Sequence, residues 1–525
     1  MLKKALLRSC RHYSTIKDPT KVCLKEHLVL PYSTSTVKSA TDNSTHAYVP
    51  FDTQMSKLSN GLRVASEEYI GEFCTVGVAI ESGSRFEALH PKGLTNIIEK
   101  LAFASTLKHS SREEIASVLE KSGALVDCQS TRDTIIYATS CHRDRLSEML
   151  EIISNAIFRP KIHPEEIMDA FSASDFESKE LGEQIEIEPF LNDRIHQAAF
   201  RSNTLGFSKY GNPEAFSEIS RERIFGYLSK YYAPNRIVLA GVGVPHKEFY
   251  SLAETYFDER TSTWALDKSI LHEKVPEIDQ STTQYTGGEI RKKCDLSQVG
   301  LGTPYPHLAH VALGFEGAGY RSEDFVPFCV LQALLGGGGS FSAGGPGKGM
   351  FTRLYVDVLN RCHWLYRCTA FNYSYSDAGL FCIQASCPPD NLNEALIVIA
   401  DQFLRLGEGV DDDELSRAKV QLKSQIMMNL EVRPVIFEDL ARQVIAHGHR
   451  RKPEETMRLI DNVTNEDIVR VAQKMLHSKP SLVGFGEIDG LSKKAVGLPK
   501  FDQLEEAIAQ RDLRVLIPKK VFSWQ

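Results

Sequence analysis

The chain has 525 residues, 42% of them hydrophobic and 25% charged, with a formal net charge of −7. That length exceeds a single hydrophobic core and predicts two to four domains. No stretch approaches the roughly 18 consecutive apolar residues that span a bilayer, and the acidic balance argues against non-specific nucleic-acid binding.

The first residues depart from the rest. Met1 to Lys17 holds Lys3, Lys4, Arg8, Arg11 and Lys17, no acid, and an apolar side made by Leu2, Ala5, Leu6 and Leu7. This Arg/Lys-rich, acid-poor composition reads as a mitochondrial transit peptide over 1–13, with cleavage near Tyr13 and a mature chain in the matrix. Its loss moves the formal charge from −7 to −11, which suits basic ligands. Residues 14–50 are Ser/Thr-rich and read as an extended arm.

In the next segment a buried-strand pattern, Val76 to Arg85, runs through a glycine-containing turn into a helix, Gly93 to Thr106. On that helix Asn96, Glu99 and Lys100 fall at i, i+3 and i+4 and share a face. In the inverted zincin motif H-x-x-E-H, two histidines hold zinc and the Glu is the general base. Here the pattern is N-x-x-E-K: the base is present and both imidazoles are gone. An Asn amide is a weak zinc ligand and a protonated Lys repels the ion. The motif is therefore degenerate, with no catalytic residue and no metal in this chain. A third ligand would be an acid some 75 residues on, where Asp175, Glu177 and Glu180 lie. Lys100 is expected near the position of the missing metal, paired with Glu99 or one of these acids. The plain alternative is a solvated surface pair.

The chain then repeats itself. Val76–Arg85 recurs as Val311–Tyr320. Strand Thr134–Cys141 with helix Arg143–Phe158 recurs as Gly379–Cys387 with Asn391–Leu406. Helix Ile224–Tyr232 with strand Ile237–Gly243 recurs as Ile468–Leu476 with Ser481–Gly486. The offsets are 235, 246 and 243. Three matches near one offset predict a duplicated unit of about 240 residues. The fold class is α+β: two homologous sandwich-like halves, each a mixed or antiparallel sheet packed with helices. Boundaries are expected at 51–260 for the N-terminal half, 261–295 for a polar linker and 296–525 for the C-terminal half.

The second half also carries a glycine-rich tract after the helical run Val326–Leu335. It comprises Gly336, Gly337, Gly338, Gly339, Ser340, Phe341, Ser342, Ala343, Gly344, Gly345, Pro346, Gly347, Lys348 and Gly349, eight glycines in fourteen residues. Glycine costs the most backbone entropy to order, so the tract predicts a mobile loop that lets a bound chain approach the backbone. It is not a phosphate loop, because Gly349 follows Lys348 where Ser or Thr is required and the tract follows a helix. His447-Gly-His449 is an isolated pair expected on the surface. The eleven cysteines form no C-x-x-C and read as reduced core residues.

Together the degenerate helix, the duplication, the leader and the glycine tract resemble the pitrilysin-like (inverzincin) metallopeptidases, from about Thr53 to Leu498. Gly336 to Tyr355 is similar to that family's signature loop. Glu99-Lys-Leu-Ala-Phe103 resembles the altered zinc helix of its non-catalytic, alpha-type subunits, although Asn96 stands where many of those keep His. The resemblance implies a heterodimer in which a beta-type partner holds zinc and removes basic presequences from imported matrix precursors. The glycine tract of this chain would help hold that substrate. Glu81, Glu87 and the stretch from Asp175 to Glu188 are candidates for contacting presequence arginines. The alternatives are a structural core subunit of the respiratory cytochrome bc1 complex (complex III), an autonomous metallopeptidase, and a binding module for an unrelated basic peptide.

Overall fold

Alternation along Phe73–Ile80 sets the architecture. Cys74, Val76, Val78 and Ile80 pack to one side of the strand, while Gly77 and Ala79 occupy the other, and all are buried. A strand buried on both sides needs two covering layers.

The computed structural model describes residues 52–181, 187–201, 203–211, 213–271, 274–299, 307–339, 349–492 and 495–517. The leader and arm expected over 1–50 lie outside them. The first half contains β1 (Thr53–Lys57), β2 (Arg63–Glu67), β3 (Phe73–Ile80), α1 (Leu94–Lys100), α2 (Arg112–Ser122), β4 (Leu125–Ser130), β5 (Ile135–His142), α3 (Leu146–Phe158), α4 (Pro164–Glu180), α5 (Glu188–Phe200), α6 (Arg221–Tyr231), β6 (Ile237–Val242), α7 (His246–Tyr256) and α8 (Thr263–Leu266). The second contains β7 (Gly288–Lys293), β8 (Ala309–Gly317), α9 (Phe325–Leu335), β9 (Gly337–Gly339), β10 (Arg367–Ser374), β11 (Gly379–Cys387), α10 (Leu392–Leu406), α11 (Asp412–Asn429), α12 (Arg433–His447), α13 (Pro453–Asn462), α14 (Asn465–Leu476), β12 (Ser481–Gly486) and α15 (Phe501–Ala509).

Among the described residues two six-stranded sheets form, in the orders β1-β2-β6-β3-β5-β4 and β7-β12-β8-β11-β10-β9. Each is mixed: β2 and β6 are parallel, as are β12 and β7, and the other pairs are antiparallel. Five strands of one sheet therefore correspond to five of the other, and the three sequence repeats fall on β3 and β8, β5 and β11, and β6 and β12. The sixth strands differ, since β1 and β9 extend opposite edges. β7 lies inside the stretch 261–295 read as linker. It joins the second sheet because it pairs in parallel with β12, Gly288 opposite Ser481 through Lys293 opposite Gly486.

Each sheet is covered on one face by helices of its own half. Residues of α1, α3, α6 and α7 join the first core, and residues of α9, α10 and α14 join the second. The other faces are covered by exchange. From α12, Ile436, Phe437, Leu440, Ala441 and Val444 pack on Ala65, Ala79, Val238 and Ala240 of the first sheet. From α5, Phe190, Leu191, Ile195 and Ala199 pack on Ala312, Leu380, Val483 and Phe485 of the second, with the Phe190 and Phe485 rings 4.3 Å apart. One position under α12 must be glycine for a steric reason. A Cβ on Gly77 would lie 2.1 Å from the Tyr137 carbonyl oxygen and 2.7 Å from Phe437 Cζ. Hydrogen bonds fix the exchange: Arg63 Nη1 donates to the Val444 carbonyl at 3.0 Å, and the Arg85 guanidinium grips both oxygens of Asp377 at 2.9 and 2.8 Å.

Phe437 is 2% exposed at the centre of this cover. Phe437→Ala should cost about 3–5 kcal/mol and loosen both halves together. Urea unfolding followed by tryptophan fluorescence and by far-UV circular dichroism should show one coincident, lowered midpoint.

Candidate functional site

α1 is short, and its start is held from outside the helix. The chain enters through Gly93 at φ 85°. The Glu87 carboxylate then accepts the Gly93 and Thr95 amides, both at 2.7 Å, and the Thr95 hydroxyl at 2.6 Å. These bonds satisfy donors that a helix start leaves unpaired. Glu87 has no exposed surface. Burial outweighs the hydrogen bonds and the Lys92 charge, and pushes its pKa up to about 7. Glu87 is therefore a structural cap, and its candidacy as a presequence contact fails because no solvent reaches it.

The helix presents Asn96, Glu99 and Lys100 toward α4. Ser174 of α4 donates to Asn96 Oδ1 at 2.6 Å, and Asn96 Nδ2 donates to Glu177 Oε2 at 3.4 Å. Lys100 Nζ lies 2.9 Å from Glu177 Oε2 and 3.2 Å from Glu99 Oε1. The second Glu99 oxygen accepts the Ser130 amide at 2.8 Å and the Ser130 hydroxyl. The Lys100 side chain is only 24% exposed. Burial alone would lower its pKa, but hydrogen bonding to Glu177 and the charges of Glu99 and Glu177 hold it above its ordinary value. The ammonium is thus a cation clamped between two carboxylates from different helices.

Of the acids in the tract, Glu177 alone among the described residues reaches this cluster. Asp175 pairs with Lys179 one turn along the helix at 2.5 Å, and Glu180 is exposed. Glu188 pairs with Arg367 of β10, and Glu81 with Arg236 at 3.5 Å. Glu183 and Glu186 lie outside the described residues.

The donor set does not fit zinc. Asn96 Oδ1 is taken by the Ser174 hydroxyl, and Lys100 holds its proton against the two carboxylates, so one carboxylate pair is left without an imidazole or a thiolate beside it. Farther out, Arg132 and Asp193 form a buried pair at 2.8 Å. Lys209 stands near it, its pKa lowered by burial and by Arg132 against the pull of Glu99, Glu177 and Asp193. Ser130, Ser174, Arg132 and Lys209 carry no motif spacing in the sequence. Only the fold collects them.

The glycine tract divides in two. Its start is a strand: Gly337–Gly339 is β9, paired antiparallel with Thr369, Cys368 and Arg367 at the edge of the second sheet. The glycines are needed for closeness. Gly337 sits at φ 96°, and a Cβ there would lie 2.1 Å from the Cys368 carbonyl oxygen. Thr352 ties the two ends of the tract together, since its hydroxyl donates to the Gly349 carbonyl at 2.8 Å and accepts the Gly337 amide at 3.2 Å. Ser340, Phe341, Ser342, Ala343, Gly344, Gly345, Pro346, Gly347 and Lys348 lie outside the described residues.

Residues 63–212 match the family model described as insulinase (peptidase family M16), and residues 218–422 match that of the peptidase M16 inactive domain. The chain is 50% identical to the mitochondrial-processing peptidase subunit alpha of Caenorhabditis elegans over 466 residues, 89% of each chain. It is 44% identical to the human protein of that name over 473 residues, 90% of this chain and 88% of the other. Identity to the Neurospora crassa protein is 33%, over 87% of this chain and 90% of that one. This chain belongs to the M16 peptidase family. The Asn96–Lys100 segment of α1 lies within the residues matched by the insulinase model.

Two outcomes follow for this M16 chain. Lys100→Met leaves Glu99 and Glu177 facing each other without a cation. At these partial exposures, between a surface and a buried pair, stability should fall by about 1–2 kcal/mol at pH 7. Because the folded pKa of Lys100 is raised, its contribution is complete below its unfolded value of about 10.4 and is lost as pH rises through the folded value. Urea midpoints of both proteins across pH 7 to 11 measure this. Glu87 loses its contribution in the same direction, but in a lower pH window. Its folded pKa of about 7 against an ordinary 4.5 means the native state binds a proton that the unfolded chain has lost. Its contribution therefore declines as pH rises from about 4.5 to about 7, by on the order of 3 kcal/mol. Glu87→Gln should remove that slope from the stability difference between pH 5 and pH 8.

Proposed function

We propose that this chain is the non-catalytic, substrate-holding subunit of a mitochondrial presequence-processing peptidase, acting in the matrix beside a beta-type subunit that carries the zinc. The observation that carries the reading is the Lys100 ammonium held by Glu99 and Glu177 at 3.2 and 2.9 Å where the zinc helix of a peptidase would place its ion. A cation fixed to the chain leaves no Lewis acid to polarise a peptide carbonyl and no metal-bound water to attack it. Hydrolysis must then be supplied by another chain. The relatives, named as alpha subunits of the mitochondrial-processing peptidase, support the same assignment.

The glycine tract supports the substrate-holding part. Its two ends are pinned at the edge of the second sheet by Thr352 and by pairing with β10. The intervening residues, Ser340 to Lys348, offer few side chains, which suits substrates that vary in sequence. The acidic chain favours basic presequences, an attraction that weakens with salt.

The test is presequence cleavage by this chain alone, with a beta-type partner, and with the partner plus a chain lacking Ser340–Lys348. The reading expects no cleavage and no stoichiometric zinc for the chain alone, and robust cleavage with the partner. The shortened chain should assemble normally but process with kcat/KM reduced at least tenfold. Zinc-dependent cleavage by the isolated chain would overturn the non-catalytic assignment. Unchanged kinetics for the shortened chain would overturn the role of the tract.

A further inference from the structure

The exchange of α12 leaves a space behind it. Phe437, Leu440, Ala441 and Val444 hold this helix on the first sheet, so its opposite side does not close down on α9, α11 and α13. The result is a cavity of about 420 Å³, within the range of small-molecule sites. Its floor is apolar, formed by Val326 of α9, Leu422 and Ile426 of α11, and Leu459 and Ile460 of α13.

The lining also holds charged and polar groups, His447, Arg450 and Arg451 among them, where α12 runs out into the basic segment His447-Gly-His-Arg-Arg-Lys452. Arg450 is buried, its side chain 2% exposed. It pairs with Glu67 and, at 3.0 Å, with Asp439, while its Nε has no hydrogen-bond partner among the described residues. Those two acids are thereby consumed, and Arg442 pairs with Glu438 at 2.8 Å. Two cations remain without a carboxylate among the described residues. Arg451 lines the cavity and is bonded only through its main-chain amide, to Gln443 at 2.9 Å. Arg321, exposed and outside the cavity lining, donates from Nε to the carbonyl of the lining residue Ala446 at 2.8 Å. His447 also lines the cavity and is half-buried, which corrects its expected surface position; His449 is exposed. Burial, with Arg451, His449 and Arg321 nearby, lowers the His447 pKa and keeps the ring neutral at neutral pH. An apolar floor with unpaired positive charge at its mouth, on a chain of net charge −7, is complementary to one kind of molecule.

We propose that this cavity binds a single-chain amphiphile with an anionic head, of the long-chain carboxylate type. The tail lies among Val326, Ile426 and Leu459, and the carboxylate meets Arg451 and Arg321. A basic peptide is disfavoured by the same two arginines. The volume is in the range of a single small ligand. The site is separate from the Asn96–Glu99–Lys100 cluster and does not depend on the processing role.

The experiment is fluorescence titration of the purified full chain with cis-parinaric acid, followed by displacement with laurate, with dodecanol and with a basic amphipathic peptide. Saturable binding of one probe per chain is expected, displaced by laurate and at least tenfold less well by dodecanol. Arg451→Glu, a change on the rim, should weaken probe binding at least tenfold without shifting the thermal midpoint. Ala446→Phe, which narrows the cavity, should also abolish binding. The absence of saturable binding, unchanged binding by the Arg451→Glu protein, or displacement by the peptide but not by laurate would each overturn the proposal.

Discussion

Both faces of each sheet are apolar, and each half supplies helices for only one of them. These remaining faces mix small residues, Ala65, Gly77, Ala79 and Ala240 in the first sheet and Ala312 and Gly314 in the second, with larger apolar ones such as Val238, Leu380 and Phe485. Left open, such a face would expose apolar surface to water, and its small residues admit a helix at close range. The chain meets the requirement by crossing twice, sending α5 to the second sheet and α12 to the first. The two crossings occupy equivalent places in the repeat, after α4 and after α11, so the duplication is also a mutual dependence. This is why the described residues from Asp52 onward fall within one unit, 49–525, although two copies of a fold are present.

The crossing also shapes the site. α4 delivers Ser174 and Glu177 to the face of α1 and then leads into α5, so the acid that holds Lys100 lies on the segment joining the halves. Arg132 and Asp193 connect the same region, with Asp193 on α5 itself. A divalent ion at this position would need neutral imidazoles or thiolates beside the carboxylates. Lys100 places one tethered positive charge between Glu99 and Glu177.

At the opposite end of the equivalence, the second half places a glycine strand beside β10 at an edge that the first half leaves to β4. A strand of glycines can lie against β10 because nothing projects from it toward Cys368 or Tyr355. The same composition that costs entropy in a free loop makes close pairing possible here, so part of the tract is ordered structure and serves as the anchor for the rest.

Much of this was written locally. Period-two and period-3.6 apolar patterns marked β3, β5, β6 and their counterparts, and the near-constant offset marked the duplication. The spacing of Asn96, Glu99 and Lys100 placed them on one helix face with no imidazole or thiolate among the three, because those are properties of neighbouring residues. Other features depend on which surfaces meet across tens or hundreds of positions. Nothing local separates Glu177 from Asp175 as the partner of Lys100, reveals Glu87 as a buried cap, or turns Gly337–Gly339 into a strand. β7 read as linker because its charged, edge-strand sequence has little burial of its own, and only β12 makes it part of a sheet. The sequence by itself determined the repeated unit and the shared helix face of Asn96, Glu99 and Lys100. Tertiary structure alone decided the helix exchange, the clamp around the ammonium and the cavity behind α12, because each is the outcome of two distant surfaces competing for the same cover.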